Sequence, residues 1–212
     1  MRTYPGPADI RERAMTRLDD GDLWNRAKRG DADAFAALFE RHAGMVYTYC
    51  FRRTADWAIA EDLTSVVFLE AWRRRAGVDL AAAKVLPWLL GVATNVLRNE
   101  RRSLRRYHAA LNRLPRLEPE RDFAEELTER LGDEQRMREL LVLVGRLPQV
   151  EQETLALCIW EGLSCAEAAF VLDVPEVTVR TRLFRARARL RELGGEVATG
   201  PDVSPVEGSD VR

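Results

Sequence analysis

Apolar residues recur along this chain at spacings of three and four, which is the period of an amphipathic α-helix. Residues 31–51 form the first such segment, and its predicted inward stripe consists of Phe35, Leu38, Phe39, His42, Met45, Val46 and Tyr49. Residues 57–73 form the second segment, whose predicted inward residues are Ile59, Leu63, Val66 and Val67. Two acids, Glu61 and Asp62, are expected near its first turn, where the helix dipole favours negative charge. The sequence lacks the sustained apolar–polar alternation of strands, so we predict an all-α protein.

A third helix is predicted to begin near Pro87, because proline is favoured in the first turn of a helix, and to continue through Arg106. The charged residues of its second half are Arg98, Arg101, Arg102, Arg105 and Arg106, against the single acid Glu100. Cations near a helix C-terminus complement the helix dipole, but five arginines exceed what that effect needs. We interpret this half of the helix as a surface for nucleic-acid phosphates.

The stretch 163–193 predicts a helix-turn-helix, a pair of helices whose second member can enter the major groove of DNA. Ser164 and Glu167 match the capping-box pattern at a helix start. Asp173 tolerates the left-handed conformation that a tight turn needs, and Pro175 suits the first turn of the next helix. The two helices are therefore expected to be joined by only a few residues.

The second helix of this pair has two chemically distinct faces. At about 100° per residue, its inward positions are Val179, Leu183, Ala186, Leu190 and Leu193. Its outward positions are Val177, Thr181, Phe184 and Ala188, flanked by Arg180 and Arg185. Core packing does not account for a phenylalanine on the outer face of a cationic helix, whereas contact with a thymine methyl does. Residues 175–193 hold six arginines and two glutamates, which favours DNA binding over a merely solvated helix.

The overall composition is nearly neutral, with 33 basic and 34 acidic residues, because the basic helices are offset by acidic segments elsewhere. Net charge therefore does not argue against a nucleic-acid partner. Cys50, Cys158 and Cys165 lack metal-ligand spacing and are expected to be reduced core residues, while His42 is expected to be a hydrogen-bonded core histidine. The sequence contains no nucleophile–base pair and no phosphate-binding glycine loop, so we expect neither an enzyme nor a cofactor or metal. It also lacks a long apolar run and a signal peptide, and we expect a cytoplasmic protein without a membrane partner.

The chain is predicted to form two small helical domains joined by a flexible linker. Residues 1–21 are expected to be a flexible leader, 22–110 the first domain, 111–133 an acidic linker, 134–194 the second domain and 195–212 a disordered acidic tail. The predicted core of the second domain consists of Leu140, Leu141, Val144, Leu147, Leu155, Leu157, Ile159 and Trp160. The helix-turn-helix lies in this second domain.

Four segments follow one another in the sequence: AFAALFERHAGMVYTYCFRRT, AEDLTSVVFLEAW, PWLLGVATNVLRNERR and LPQVEQETLALCIWEGLSCAEAAFVLDVPEVTVRTRLFRARARLREL. In this order they resemble the bacterial RNA polymerase sigma factors, specifically the two-domain extracytoplasmic-function (ECF) group. The first three look like region two of that family and the fourth looks like region four. The resemblance covers about residues 22–194.

The resemblance implies an initiation factor that binds core RNA polymerase, directs it to promoters and assists promoter melting. The residues that it places on minus-thirty-five DNA are Arg180, Thr181, Phe184 and Arg185. Those that it places on minus-ten DNA are Asn95, Arg98, Asn99 and Arg102, with the loop 77–84 holding a flipped base. Those that it places against polymerase are Glu61, Asp62 and Leu63, and an anti-sigma factor is a further partner that the resemblance suggests.

This chain departs from the family's usual pattern at a few positions. Ser65 and Val66 stand where Gln-Glu is common after the polymerase-binding stretch. Asp173 stands at the usual glycine of the turn, and Val177 stands where the recognition helix often has glycine. Of these residues, Val177 is expected to change which bases are read.

Two other functions remain open at the level of sequence. A stand-alone helix-turn-helix regulator would bind duplex operators tightly without polymerase. A helical adaptor without a DNA role would keep its activity when Arg180 and Arg185 are changed to glutamate.

Overall fold

The computed structural model describes residues 18–80, 84–111 and 127–198. Within these ranges the helices are α1 (Asp20–Lys28), α2 (Ala32–Thr54), α3 (Trp57–Arg74), α4 (Val85–Leu111), α5 (Leu127–Val144), α6 (Gln149–Leu155), α7 (Cys165–Leu172) and α8 (Glu176–Ala198). A 3-10 turn, Arg75–Gly77, follows α3, and a π-helical turn, Ala156–Trp160, continues α6. The described residues contain no strand, which confirms the all-α prediction. Residues 1–17, 112–126 and 199–212 lie outside the described ranges; they are parts of the predicted leader (1–21), linker (111–133) and tail (195–212).

Aspartate side chains start the first three helices. Asp19, Asp31 and Asp56 each accept a hydrogen bond from a backbone N–H three residues later, at 2.8, 3.1 and 3.0 Å. Such N-caps satisfy backbone donors that the first turn of a helix leaves without a partner. The pKa of Asp31 lies below its ordinary value because the Ala34 N–H and then the Arg26 side chain donate to its carboxylate. Local sequence therefore determines where these helices begin.

The first domain consists of α1 to α4 packed around one apolar core. Its largest fully buried side chains include Trp24, Leu38, Tyr49, Val67 and Leu90. The Tyr49 hydroxyl shares a 2.8 Å hydrogen bond with the Thr94 hydroxyl, which fixes α4 against α2. The Trp24 indole N–H donates to the Val78 carbonyl at 3.0 Å and so holds the start of the loop that follows α3.

Several positions predicted to face inward are exposed instead. In α2, Phe39 and Met45 lie at the surface, and in α3 the same is true of Ile59 and Val66. The neighbouring helices cover α2 along the line of Leu38, His42, Val46 and Tyr49, so positions one step to either side meet solvent. The prediction was wrong because a period of 3.6 locates an apolar face but not its width.

Two smaller expectations for the first domain have opposite outcomes. His42 is buried, and its Nε2 lies 2.7 Å from the Asp20 carboxylate, as expected of a hydrogen-bonded core histidine. Glu61 and Asp62 do not lie near the first turn of α3, because the helix begins at Trp57 and its first turn contains no acid. Asp56, the N-cap, supplies the negative charge at that helix start.

The second domain has a smaller core than predicted. Val144, Leu147, Leu155 and Leu157 are buried, but the predicted core residues Leu140 and Ile159 are exposed. The π-helical turn accounts for Ile159, because a wider turn rotates the following side chains relative to an α-helix. Helix α8 continues past Gly194 to Ala198, into the predicted tail, since extending an existing helix costs little compared with nucleating one.

The two domains pack against each other. One hydrophobic cluster contains Leu90 and Ala93 of α4 together with Leu157 and Leu172 of the second domain. A Cβ atom placed on Gly91 would lie 3.6 to 3.9 Å from atoms of Val171, so α4 and α7 approach closely at this glycine. In the part of the chain that the structure describes, no helix is long and apolar enough to cross a membrane.

Candidate nucleic-acid interface

Helix α8 of the second domain is positioned by the preceding helix, α7, and by the short turn that joins the two. The Glu167 N–H donates to the Ser164 hydroxyl at 3.2 Å, and the Ser164 N–H donates to the Glu167 carboxylate at 2.9 Å, which completes the predicted capping box of α7. The Ser164 hydroxyl also donates to the Glu167 carboxylate at 2.6 Å, and this bond, followed by the one from the Ser164 N–H, holds the pKa of Glu167 below its ordinary value. Asp173 ends α7 in the left-handed conformation, with φ of 52°. The helix-turn-helix thus forms as its local sequence predicts.

Helix α8 buries one face and exposes the other. Val179 and Ala186 are fully buried on the inner side, as predicted. On the outer side, Val177 and Phe184 are 68% and 70% exposed. A phenylalanine exposed to this degree contributes little to the core, so its place on the outer face is better explained by a partner.

The polar residues of this outer face differ in whether they already have a hydrogen-bond or ion-pair partner. The Arg180 guanidinium pairs with the Glu176 carboxylate one turn earlier at 2.6 Å. The Thr181 hydroxyl donates to the Val177 carbonyl of its own helix at 2.8 Å. Arg185 is exposed and makes no ion pair with any residue that the structure describes. Arg185 can therefore meet an incoming phosphate or base without first breaking a contact.

A shallow cavity of about 250 Å³ lies between the start of α6 and this face. Its lining residues are Val150, Glu151, Val177, Thr178, Thr181, Arg182 and Arg185. Glu151 is buried there; one of its oxygens accepts from Arg189, and the other has no partner within the described structure. The sequence did not predict this role for Glu151, because the contact joins residues that are 38 positions apart. Arg189 consequently holds α8 on α6 and does not belong to the outer face.

Four residues predicted to meet minus-ten DNA lie along α4 at one-turn spacings. Asn95, Asn99 and Arg102 are exposed, and the Asn95 side-chain oxygen accepts from Arg98 at 3.3 Å. Arg98 instead points at the second domain, where its Nε and one terminal nitrogen donate to the two oxygens of Glu153 at 2.8 and 2.6 Å. The structure therefore brings the four residues onto one helix but engages one of them in a contact between domains.

The predicted base-capturing loop is described at both ends, while residues 81–83 lie outside the described ranges. Asp79 at its beginning is exposed and pairs with Lys28 of α1. Lys84 at its end lies above the ring of Phe170 in α7, 5.2 Å from the ring centre. The second domain thus contacts this loop as well as Arg98.

The predicted polymerase-binding residues on α3 divide into two groups. Glu61 and Asp62 are exposed, whereas Leu63 is buried in the core of the first domain. Close to the two acids, α3 also exposes the apolar side chains of Val66 and Leu69. Apolar residues surrounded by charge on an open helix face are typical of a protein–protein contact. Sequence periodicity had assigned Val66 to the core and did not identify this surface.

No group of three or more metal-ligating side chains is assembled within the ranges that the structure describes. The three cysteines are free thiols, and burial raises the pKa of Cys50 to about 12. A helical protein that exposes a cationic recognition helix in one domain and a second polar helix face in the other has the features of a DNA-binding transcription factor.

Comparison with known proteins identifies the family. Residues 38–107 match the model of Sigma-70 region 2, and residues 137–190 match that of Sigma-70, region 4. The chain is 34% identical to the ECF RNA polymerase sigma factor BldN of Streptomyces coelicolor, over 81% of this chain and 64% of BldN. It is 30% identical to the RNA polymerase sigma factor CarQ of Myxococcus xanthus, over 81% of this chain and 95% of CarQ. The chain belongs to the ECF RNA polymerase sigma factors, the initiation factors that direct core polymerase to promoters.

Two solved structures share the fold. CnrH in complex with the cytosolic domain of CnrY superposes with a TM-score of 0.62 at 24% identity, covering 83% of this chain and 97% of CnrH. The sigma factor RpoE in complex with the anti-sigma factor NepR from Bartonella quintana gives 0.57 at 18% identity, covering 76% of this chain and 96% of that one. These similarities agree with the predicted architecture of two helical domains.

Proposed function

We propose that this chain starts transcription by holding core RNA polymerase and two separate promoter elements at the same time, each through a different helix. Helix α8 reads the minus-thirty-five duplex, α4 holds the minus-ten strand, and α3 docks on polymerase. The observation that carries the proposal is that each of the two family domains exposes a polar face on one helix. The role is binding rather than catalysis, and it belongs in the cytoplasm, where core polymerase meets the chromosome.

On the minus-thirty-five element, the reading surface is the outer face of α8. Arg180 and Arg185 reach guanine edges or phosphates, Thr181 contacts the backbone, and Phe184 packs on a thymine methyl. Val177 projects from the first turn of the same helix, where a glycine would leave room for a closer approach. Its exposure supports a role for Val177 in setting base preference.

On the minus-ten element, Asn95, Asn99 and Arg102 line the exposed side of α4, and the half-buried Arg98 lies on the same helix, where it pairs with Glu153. Taking a base out of the stack costs a few kcal/mol. Contacts with the sugar–phosphate backbone and stacking in the loop 77–84 offset that cost. The hydrogen bond between Tyr49 and Thr94 ties α4 to α2 behind this surface.

The polymerase contact uses Glu61 and Asp62, with the exposed apolar side chains of Val66 and Leu69 beside them. Leu63 contributes from the core, where it holds this turn of α3 in place. The related CnrH and RpoE are bound to CnrY and to the anti-sigma factor NepR. A protein of the anti-sigma type is accordingly a third partner in this proposal.

In-vitro transcription with core polymerase and a genomic promoter library tests the proposal. Transcripts are expected only when the chain and core enzyme are both present, and changing Arg180 and Arg185 together to glutamate should abolish them. Tight operator binding by the free chain, with no transcript, would favour a stand-alone regulator. Full activity of the doubly changed protein would favour an adaptor that does not contact DNA.

A further inference from the structure

Two of the three cysteines are neighbours at the entrance to the helix-turn-helix. Cys158 lies in the π-helical turn that continues α6, and Cys165 is the first residue of α7. Their thiol groups form a hydrogen bond with each other, so the two sulfur atoms are in contact. Both side chains are free thiols, both are half-buried, and both pack against the main hydrophobic cluster. The proposed function gives neither thiol a role.

The backbone around the two cysteines keeps them together. The Leu163 N–H donates to the Leu157 carbonyl at 3.0 Å, which closes the loop between the π-helical turn and α7. Ser164, directly before Cys165, is held by the capping box of α7. A cysteine side chain has a single heavy-atom torsion, so a fixed backbone leaves the sulfur few positions. The contact between the thiols is therefore a consequence of how the chain folds at this point.

The Cys158 thiol is a poor nucleophile. Burial and, to a smaller extent, the neighbouring Cys165 thiol raise the pKa of Cys158 to about 11, while Arg187 of α8 acts in the opposite direction. At neutral pH very little Cys158 is therefore the thiolate, which is the form that reacts with oxidants. We expect an oxidant to attack Cys165 first. Cys158 then reacts second, and its contact with Cys165 compensates for its weak nucleophilicity.

A covalent bond between the two sulfur atoms needs only a small movement of the chain. Sulfur atoms that already touch must approach each other by roughly 1–2 Å to bond. The loop between the two cysteines can supply this movement, because a Cβ atom placed on Gly162 at its tip would have no other atom within 4 Å. Helices α7 and α8 keep their packing in this arrangement, and the outer face of α8 keeps its geometry.

We propose that Cys158 and Cys165 are a peroxide-reactive dithiol, which hydrogen peroxide converts into a reversible disulfide inside the folded second domain. Disulfides in the cytoplasm are as a rule transient and redox-sensing, because thiol reductants keep most cysteines reduced. A pair of thiols in contact at the start of a DNA-reading unit has the arrangement that such chemistry needs. The inference concerns the second domain alone and does not rest on the proposed function.

The reaction has two steps. In the first, the Cys165 sulfur attacks one peroxide oxygen, the O–O bond breaks, and Cys165 becomes a sulfenic acid while water leaves. In the second, the Cys158 sulfur attacks the Cys165 sulfur, the S–S bond forms as the S–O bond breaks, and the leaving hydroxide takes the Cys158 proton to give a second water. The dithiol thus loses two electrons and two protons, and one peroxide is reduced to two waters. A dithiol reductant restores both thiols by exchange.

The disulfide has two consequences for the second domain. It links the π-helical turn to the first residue of α7, and closing this short loop in the unfolded chain stabilises the folded state. It also stops oxidation at a reversible stage, since a sulfenic acid without a thiol partner proceeds to sulfinic acid, which thiol reductants do not restore. The helix-turn-helix therefore stays folded, and its thiols stay recoverable, while peroxide is present.

Mass mapping of the full chain after treatment with hydrogen peroxide under native conditions tests the pairing. Residues 147–180 contain both cysteines and no internal lysine or arginine, so trypsin releases them in one peptide. We expect this peptide to lose the mass of two hydrogen atoms and to take up no alkylating label until it is reduced. Cys50, fully buried in the first domain, is the internal control and should stay reduced. A folded protein that forms no such bond, or forms it only after unfolding in urea, would overturn the inference.

Two matched variants test the order of attack. In Cys158→Ser the Cys165 sulfenic acid has no thiol to react with, so it should accumulate and be trapped by dimedone. In Cys165→Ser, trapping at Cys158 should be slower by about tenfold, because so little of that thiol is ionised. Equal or faster trapping in Cys165→Ser would refute the assigned order. The mass mapping needs neither variant, so it decides the pairing even if one of them folds poorly.

Calorimetry and transcription test the consequences. Oxidation of the unmodified chain should raise its melting temperature by about 5–10 °C, and Cys158→Ser should show no such rise. An unchanged or lower melting temperature would refute the stabilising role. The oxidised and reduced chains should start transcription equally with core polymerase, and loss of initiation only in the oxidised chain would refute the unchanged geometry of α8. If the reduced chain also starts no transcript, the proposed function fails, and mass mapping still decides the disulfide.

Discussion

Arg185 offers the sharpest test of the recognition surface, because the structure separates its role in folding from its role in binding. The side chain is exposed and forms no ion pair within the described residues. Changing Arg185→Gln should therefore alter the free energy of unfolding by less than about 0.5 kcal/mol. On DNA the same change removes a contact worth about 1–3 kcal/mol if the guanidinium lies on a guanine edge. That loss corresponds to a decrease of about 5- to 150-fold in promoter affinity.

The magnitude for Arg180→Gln should be smaller. Arg180 must give up its pair with Glu176 when it binds DNA, and such an exposed pair contributes about 0.3–0.5 kcal/mol. The structure thus ranks the two arginines, with Arg185 the more sensitive. Arg191→Gln is the matched control, since Arg191 is an exposed arginine about 120° around the same helix from Arg185.

Holoenzyme reconstituted with core polymerase is the right form for the measurement, with a fluorescent promoter fragment titrated from 50 to 200 mM salt. A contact with a phosphate would weaken all promoters alike and lower the salt slope by about 1. A contact with a base would weaken only promoters that carry the matching pair. Equal affinity of Arg185→Gln, Arg191→Gln and the unmodified holoenzyme on every promoter would refute the assignment of this face.

Further expectations concern the helices that carry the site. Changing Ser164→Ala removes the capping contact with Glu167 and should lower the free energy of unfolding by about 1 kcal/mol, measured by urea denaturation; an unchanged midpoint would contradict the role of the capping box. Changing Tyr49→Phe removes the buried hydrogen bond to Thr94 and should lower the free energy of unfolding by about 1 kcal/mol. Calorimetry should then show a melting temperature about 2–4 °C lower. An equal or higher Tm would argue against that bond. The Cys50 thiol, with a pKa of about 12, should resist alkylation at pH 8 until the protein unfolds, and fast labelling of the folded protein would show that it is accessible.

Local rules predicted the helix-turn-helix almost completely. Ser164, Glu167 and Asp173 act within a few residues of their own positions, so spacing in the sequence was enough to place them. The faces of α8 followed from periodicity alone, and Val179 and Phe184 lie on the sides that the helical phase predicted. A residue whose partners are close in sequence can be located in this way.

The contacts that determine which side chains of the DNA-binding surfaces are exposed join residues far apart in the sequence, and helical periodicity did not predict them. Arg98 was counted among cations without a local acid, but its partner Glu153 lies 55 positions away. Val66 and Ile159 were assigned to the core because periodicity does not reveal which neighbours cover a face or where a helix widens into a π-turn. Pairings between domains depend on the folded arrangement, and no short-range pattern in the sequence encodes them.

The length of the chain between α4 and α5 determines how tightly a partner must bind to keep the two domains apart. The 15 residues between Leu111 and Leu127 can span at most about 50 Å. At that reach, each domain meets the other at an effective concentration on the order of millimolar, whatever the concentration of the protein in the cell. Any contact between the two domains is therefore unimolecular, and dilution does not weaken it. A promoter or polymerase that holds the domains apart must bind well enough to outcompete a partner that is always attached.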